Sequence, residues 1–208
     1  DIETELAIST KDVIELGFNY RNSYQTARLA REFYTGDPAS PPPNLPSTKR
    51  SAKIPLLVEY GEKRRFDFKS VLHAILKTAD RDPSKLLGII TPDNVVRKRY
   101  LDGLLNVNPS LDNGIPKIQT YQSGDDATKL TFNEGGIMII NAQSCKGLEF
   151  DVALLADIDR HYCNPMLIDE KRRLFYVMVA RARENVIILK NGDNMHCPVD
   201  AFMPQNSE

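Results

Sequence analysis

At 208 residues, with 41% apolar and 26% charged side chains, the chain is long enough to bury a real core and has ordinary globular composition. No apolar run approaches a membrane span and no basic–apolar–small opening marks a signal peptide, so no membrane partner is expected. A formal net charge of −1 argues against a nucleic-acid binder held by bulk electrostatics and leaves room only for a local basic patch.

The opening Asp1-Ile2-Glu3-Thr4-Glu5 has no Met and reads as a cut into an ongoing chain. Asp12–Leu16 is a short strand candidate, and Asn22–Tyr34 reads as a helix with an apolar stripe of Ala27, Leu29, Ala30 and Phe33. Residues 37–46 (DPASPPPNLP) must be extended, because prolines remove donors and helical geometry. The alternation continues with a strand at Ile54–Tyr60, a helix at Phe68–Ala79 and a strand at Lys85–Thr91. Asp93 and Asn94 can cap a helix at Val95–Leu105, with Tyr100, Leu101, Leu104 and Leu105 inward. A strand at Lys117–Tyr121 and a turn at Ser123–Asp126 follow.

The apolar runs Ile137–Ile140 and Val152–Ala156 predict two buried strands, joined by the polar segment Asn141–Asp151 with Gly147 as its hinge. Such a segment is either a plain connection or the route by which side chains reach a ligand-binding sheet edge. A last helix starts near Asp169, its expected N-cap, and a strand at Val186–Leu189 precedes a tail over 193–208. Strand–helix–strand units repeated in this way imply one α/β domain over 1–208: a mainly parallel sheet with helices on both faces, three layers in all.

Three cysteines, Cys145, Cys163 and Cys197, at irregular spacing suit a reducing cytoplasm better than a disulfide framework. The expected location is therefore cytoplasmic. His161, Cys163, His196 and Cys197 lack the spacing of paired ligands, and no metal site is expected from them. Cys145 beside Lys146 is a candidate redox-sensitive thiol.

On a helical wheel counted from Arg173, Leu174, Phe175, Val177, Met178 and Ala182 fill an apolar arc of about 160°. Arg181 lies within it at about 80°, while Arg172 and Arg183 point to the opposite, solvated side. An inward arginine needs a carboxylate or a phosphate. Near the first helix, Tyr20 beside Arg21 can offer a ring face to a base and a guanidinium to a phosphate, although Asn22 or Ser23 could simply cap that helix.

Asn19-Tyr20-Arg21-Asn22-Ser23, Asn141–Asp151 (NAQSCKGLEFD) and Arg172–Arg183 (RRLFYVMVARAR) together carry a resemblance spanning nearly the whole chain. The chain resembles the C-terminal RecA-like half, the second motor domain, of superfamily 1 DNA helicases of the UvrD/Rep/PcrA type, through motifs IV, V and VI. The resemblance implies a RecA-like fold in an ATP-dependent helicase of 3′-to-5′ polarity, acting on single-stranded DNA. It implies that Tyr20 stacks near adenine, Arg21 and Arg181 reach the γ-phosphate, Glu149 meets the ribose and Gly147 shapes the loop. Asn141, Gln143 and Ser144 would touch the DNA backbone. Gln143 stands where His is common, Asn141 where Thr is usual, and Ala180 where Thr usually precedes the motif VI arginine. Little room remains between motifs IV and V for a large accessory domain.

No Gly-x-x-x-x-Gly-Lys-Ser/Thr run is present, so no phosphate-cradling loop is expected in this chain. ATP would bind between this domain and an N-terminal RecA-like domain, which would also supply the Mg2+ ligands. Met166–Glu170 resembles an apolar strand ending in a magnesium-binding Asp-Glu pair but runs straight into the last helix. The alternative function is a non-catalytic nucleotide- or partner-binding module on the same fold.

Overall fold

Side chains alternate across a strand, so a strand apolar at every position is covered on both faces. The computed structural model describes residues 19, 21–36, 41–42, 44–46, 53–107, 116–121, 130–131 and 134–204. Its elements are α1 (Tyr24–Glu32), β1 (Leu56–Tyr60), α2 (Phe68–Arg81), β2 (Leu86–Thr91) and α3 (Asn94–Asn106), then β3 (Ile118–Tyr121), β4 (Gly136–Asn141), β5 (Phe150–Leu155), α4 (Ile168–Ala180) and β6 (Ala182–Asn191). The strands form one sheet in the order β1-β6-β5-β2-β4-β3, and every pairing is parallel. β2 sits centrally, with Leu87 opposite Ile137 of β4 on one side and Val152 of β5 on the other.

The two sides of the sheet carry separate cores. Met138, Ile140, Ala153, Leu155 and Ile188 pack with Phe33 below α1 and with Phe175 and Met178 of α4. Ile137, Ile139, Val152, Leu154 and Leu189 pack with Leu72 and Ile75 of α2 and with Tyr100 and Leu104 of α3. Odd and even residues of β4 and β5 thus serve opposite layers, which explains the unbroken apolar runs. Each fully buried side chain of this size contributes about 1.5–3 kcal/mol.

Helix starts follow capping chemistry. The side chains of Ser23, Asp67 and Asp93 accept from the backbone N–H groups of Thr26, Ser70 and Val96. At α4 Leu167 holds the cap position with no side-chain bond, and Asp169 falls in the first turn with Glu170. The expected Asp169 cap is therefore corrected: a 3-10 turn at Pro165–Leu167, capped by Asn164, leads directly into the helix.

Three further expectations change. Leu105 is 61% exposed, because it lies one helical step off the Tyr100–Leu104 stripe. β6 begins at Ala182, four positions before the expected Val186, although Arg183, Glu184 and Asn185 are polar. Beyond Gly192, where a tail was expected, Cys197 and Val199 are buried, and Phe202 meets Phe175 edge-on at 5.2 Å. The strand at Asp12–Leu16 and the turn at Ser123–Asp126 lie outside the described residues. No helix among the described residues is long and apolar enough to cross a membrane.

Candidate functional site

In a parallel sheet all strand starts share one edge and all strand ends the other, about 20 Å away for six residues. The segment from Ala142 to Glu149 leaves the end of β4 and enters the start of β5, so it must cross from one edge to the other. This corrects the picture of a single ligand edge. Asn141, Gln143 and Ser144 lie by the strand ends; Gly147, Glu149 and Arg181 lie by the strand starts.

At the strand-start edge, Arg21 Nε lies 2.9 Å from Glu149 Oε1, both side chains being almost half exposed. Arg181 is the C-cap of α4 and the last residue before β6. Its Nε donates to Val177 O at 3.2 Å and its Nη1 to Leu148 O at 3.3 Å. Among the described residues no carboxylate pairs with it. In place of the expected anion, the guanidinium at the helix end serves one carbonyl of the last turn, Val177 O, and one of the loop before β5, Leu148 O. The two arginines therefore meet consecutive residues, Glu149 and Leu148. Gly147 has φ of 88°, and a Cβ there would meet open space, so its requirement is left-handed backbone rather than room. Tyr20 lies outside the described residues.

Two residues flanking this edge, Arg172 and Cys145, depart from expectation. Arg172, expected to be solvated, donates from Nη2 to Glu32 O at 3.2 Å and Tyr34 O at 3.0 Å, closing the end of α1. Arg183 is exposed, 3.8 Å from Asp151. Cys145 is fully buried and its Sγ donates to Ala142 O at 3.1 Å. Burial pushes the thiol up to about 11, against the pull of Arg181, which overturns the redox-thiol expectation.

At the strand-end edge Asn141 is held from two sides. Its Oδ1 accepts from Thr91 Oγ1 at 3.0 Å, and its Nδ2 donates to Asn94 Oδ1 at 2.7 Å. Gln143 is exposed and Ser144 half-buried in a 3-10 turn. Gln143 also lines an open groove of about 410 Å³ with Tyr162, Asn164, Lys171, Arg173 and Leu174, along the first half of α4. Tyr162 is 80% exposed.

Beneath this edge is a buried network that nothing in the periodicity announces. Asp157, left-handed at φ 46°, accepts from Tyr60 Oη at 2.6 Å, Tyr100 Oη at 2.9 Å and Arg99 Nη1 at 2.9 Å. The Arg99 guanidinium lies 3.8 Å above the Phe68 ring. Burial raises the pKa of Asp157, and burial together with the Asp157 charge raises that of both tyrosines. The network joins the ends of β1 and β5 to α3. Among the described residues no group of three or more His, Cys, Asp or Glu could hold a metal ion. The strand-start edge brings together two guanidinium groups, Arg21 and Arg181, and one carboxylate, Glu149.

Residues 136–189 match the family model of the UvrD-like helicase C-terminal domain. No curated protein matches. The structure is similar to the C-terminal domain of a "possible DNA helicase" from Lactobacillus plantarum WCFS1, at 15% identity, 90% coverage of this chain, 96% of that one and a TM-score of 0.59. Weaker likenesses, too slight to bear on function, are the arterivirus nonstructural protein 10 helicase with DNA (8% identity, 69% and 30% coverage, TM-score 0.42) and Cas3-ATP of T. fusca (14% identity, 74% and 20% coverage, TM-score 0.44). Residues 136–189 are thus similar to the UvrD-like helicase C-terminal domain, and the chain has the RecA-like fold seen in a helicase C-terminal domain.

Proposed function

We propose that this chain is the C-terminal motor domain of an ATP-dependent DNA helicase that moves 3′ to 5′ along single-stranded DNA. Its strand-start edge completes an ATP site shared with an N-terminal RecA-like domain of the same protein, which contributes the phosphate loop and the Mg2+ ligands. The observation that carries the reading is the convergence of Arg21 and Arg181 on Leu148–Glu149, both guanidinium groups reachable from solvent and neither held by a buried carboxylate.

The chemistry follows from what each group gives up. An exposed Arg–Glu pair contributes about 0–1 kcal/mol, so Arg21 leaves Glu149 at little cost for a phosphate that accepts two charge-assisted bonds. Glu149 is then free to accept from ribose hydroxyls, and Tyr20 offers its ring to adenine. Arg181 exchanges carbonyl oxygens for the γ-phosphate. ATP bound with Mg2+ supplies the phosphoryl group, and the two arginines stabilise charge that builds on its oxygens during transfer. Departure of the phosphate returns Arg21 to Glu149 and weakens the hold between the lobes. At the opposite edge Asn141, Gln143 and Ser144 bind the DNA backbone, beside the groove of Tyr162, Lys171 and Arg173.

The test is Arg181→Ala in the full-length protein, with ATP turnover and single-stranded DNA affinity measured side by side. Turnover is expected to fall by a factor on the order of 10³, with DNA affinity largely kept. Near-normal turnover would remove the role assigned to Arg181. Nucleotide binding without turnover in the unaltered protein would favour the non-catalytic module.

A further inference from the structure

Asn22 is 6% exposed, although it stands between the exposed Arg21 and the capping Ser23. Its Nδ2 donates to Ala180 O at 3.1 Å and, more closely, to Ala182 O, the carbonyls on either side of Arg181. Its Oδ1 accepts from Asn19 Nδ2 at 2.8 Å. Asn19 Oδ1 in turn accepts from the backbone N–H groups of Arg21 and Asn22, each at 3.0 Å, closing the turn that bears Arg21.

The contacts continue as a row. Ser23 N donates to Arg183 O at 2.7 Å, and Ser23 Oγ to Glu184 O at 2.9 Å. Phe150 N donates to Arg181 O at 2.9 Å. Each carbonyl from Ala180 to Glu184 thus has a donor, and Asn22 and Ser23 supply all but one. The exception comes from Phe150, the neighbour of Glu149. The turn carrying Arg21, the segment carrying Arg181 and the strand entry carrying Glu149 are therefore tied into one frame. A primary amide suits the junction because one planar head gives two N–H donors and an acceptor.

Resting on the proposed nucleotide site at this edge, we infer that Asn22 is a positioning residue: its amide sets the spacing of Arg21 and Arg181, and so the fit of both to a terminal phosphate. It touches no substrate. Its removal leaves two inward carbonyls without donors and lets the segment bearing Arg181 shift, and misplacement of about 1 Å at a reacting centre costs on the order of a hundredfold in rate.

The experiment uses the full-length protein with ATP and single-stranded DNA, comparing Asn22→Ala, Asn22→Asp, Arg21→Ala, Arg181→Ala and Asn22→Ala/Arg181→Ala. Asn22→Ala is expected to lower kcat by about tenfold to a hundredfold while KM for ATP changes less than about threefold. In the Arg181→Ala background the same substitution should cost little more, because the two act as a unit. Asn22→Asp keeps the shape but turns an acceptor toward two carbonyls. A carboxyl there has a raised pKa and regains a donor when protonated, so its kcat relative to the unaltered protein should recover as pH falls from about 8 to 6. That recovery is read even if Asn22→Ala does not fold. Losses that simply multiply, or no acid recovery, would overturn the inference while leaving the arginine assignments standing. Normal turnover in both Arg21→Ala and Arg181→Ala would instead remove the nucleotide reading, and this inference with it.

Discussion

His161 is 3% exposed, its ring 5.1 Å from that of Phe175 and its Nε2 buried without a partner. An imidazole so placed must stay neutral. Burial pushes its pKa down to about 3, with Lys171 adding to the effect and Asp93 opposing it. The unfolded chain takes up this proton near pH 6.5 and the folded chain only near 3, so stability falls as pH drops through the unfolded value. The loss amounts to about 2 kcal/mol between pH 7.5 and 5. His161→Phe should remove that part of the acid sensitivity, as read by urea unfolding at the two pH values; an undiminished loss in the variant would mean the imidazole is not buried in its neutral form. The burial of the partner, not of the guanidinium, separates Arg21 and Arg181, which meet a half-exposed carboxylate and two carbonyls, from Arg99, stacked on Phe68 and bonded to the buried Asp157.

Among the elements, β2 depends on a missing side chain. Gly88 lies at its centre, and a Cβ there would lie 2.4 Å from Cγ and Cδ2 of the Phe150 ring. Gly88→Ala should destabilise the fold by about 1–3 kcal/mol, measured as a lower denaturant midpoint, and Phe150→Leu in the same protein should recover part of it. An unchanged midpoint for Gly88→Ala would show that the Phe150 ring has room to move. β6 shows the opposite case, where a polar stretch becomes strand because its groups find partners. Arg183 approaches Asp151, and Glu184 pairs with Lys85. The carbonyls of the same stretch are taken by Asn22, Ser23 and Phe150. Apolar periodicity has no means of seeing such bonds, which is why the expected strand began only at Val186.

For the molecule as a whole, the parallel sheet separates the proposed nucleotide edge from the proposed DNA edge by one strand length. α4 spans that distance, with Lys171 and Arg173 near the groove at its start and Arg181 capping its end. Substitutions at the groove should therefore act on DNA and spare nucleotide chemistry. Tyr162→Ala is expected to weaken single-stranded oligonucleotide binding by about tenfold, the scale of one lost base stack, while DNA-independent ATP turnover is kept. Fluorescence anisotropy and a phosphate-release assay on the same preparation read both. Equal loss in the two assays would argue against separate edges.

Much of the fold was legible before any coordinate. Short apolar runs at Ile137–Ile140 and Val152–Ala156, a capping aspartate at Asp93 and a helix over 68–79 each carry local signals whose range is one turn or one strand. The family resemblance likewise rests on short words, such as Lys146-Gly147-Leu148-Glu149-Phe150-Asp151. What the tertiary structure alone decided is which groups meet across long separations: Asp157 with Tyr60 and Tyr100, Asn22 with the carbonyls around Arg181, and the split of the 142–149 crossing between two sheet edges. Such contacts depend on strand order, and strand order follows from how both faces of the sheet are covered, a property of the whole chain that no local pattern encodes.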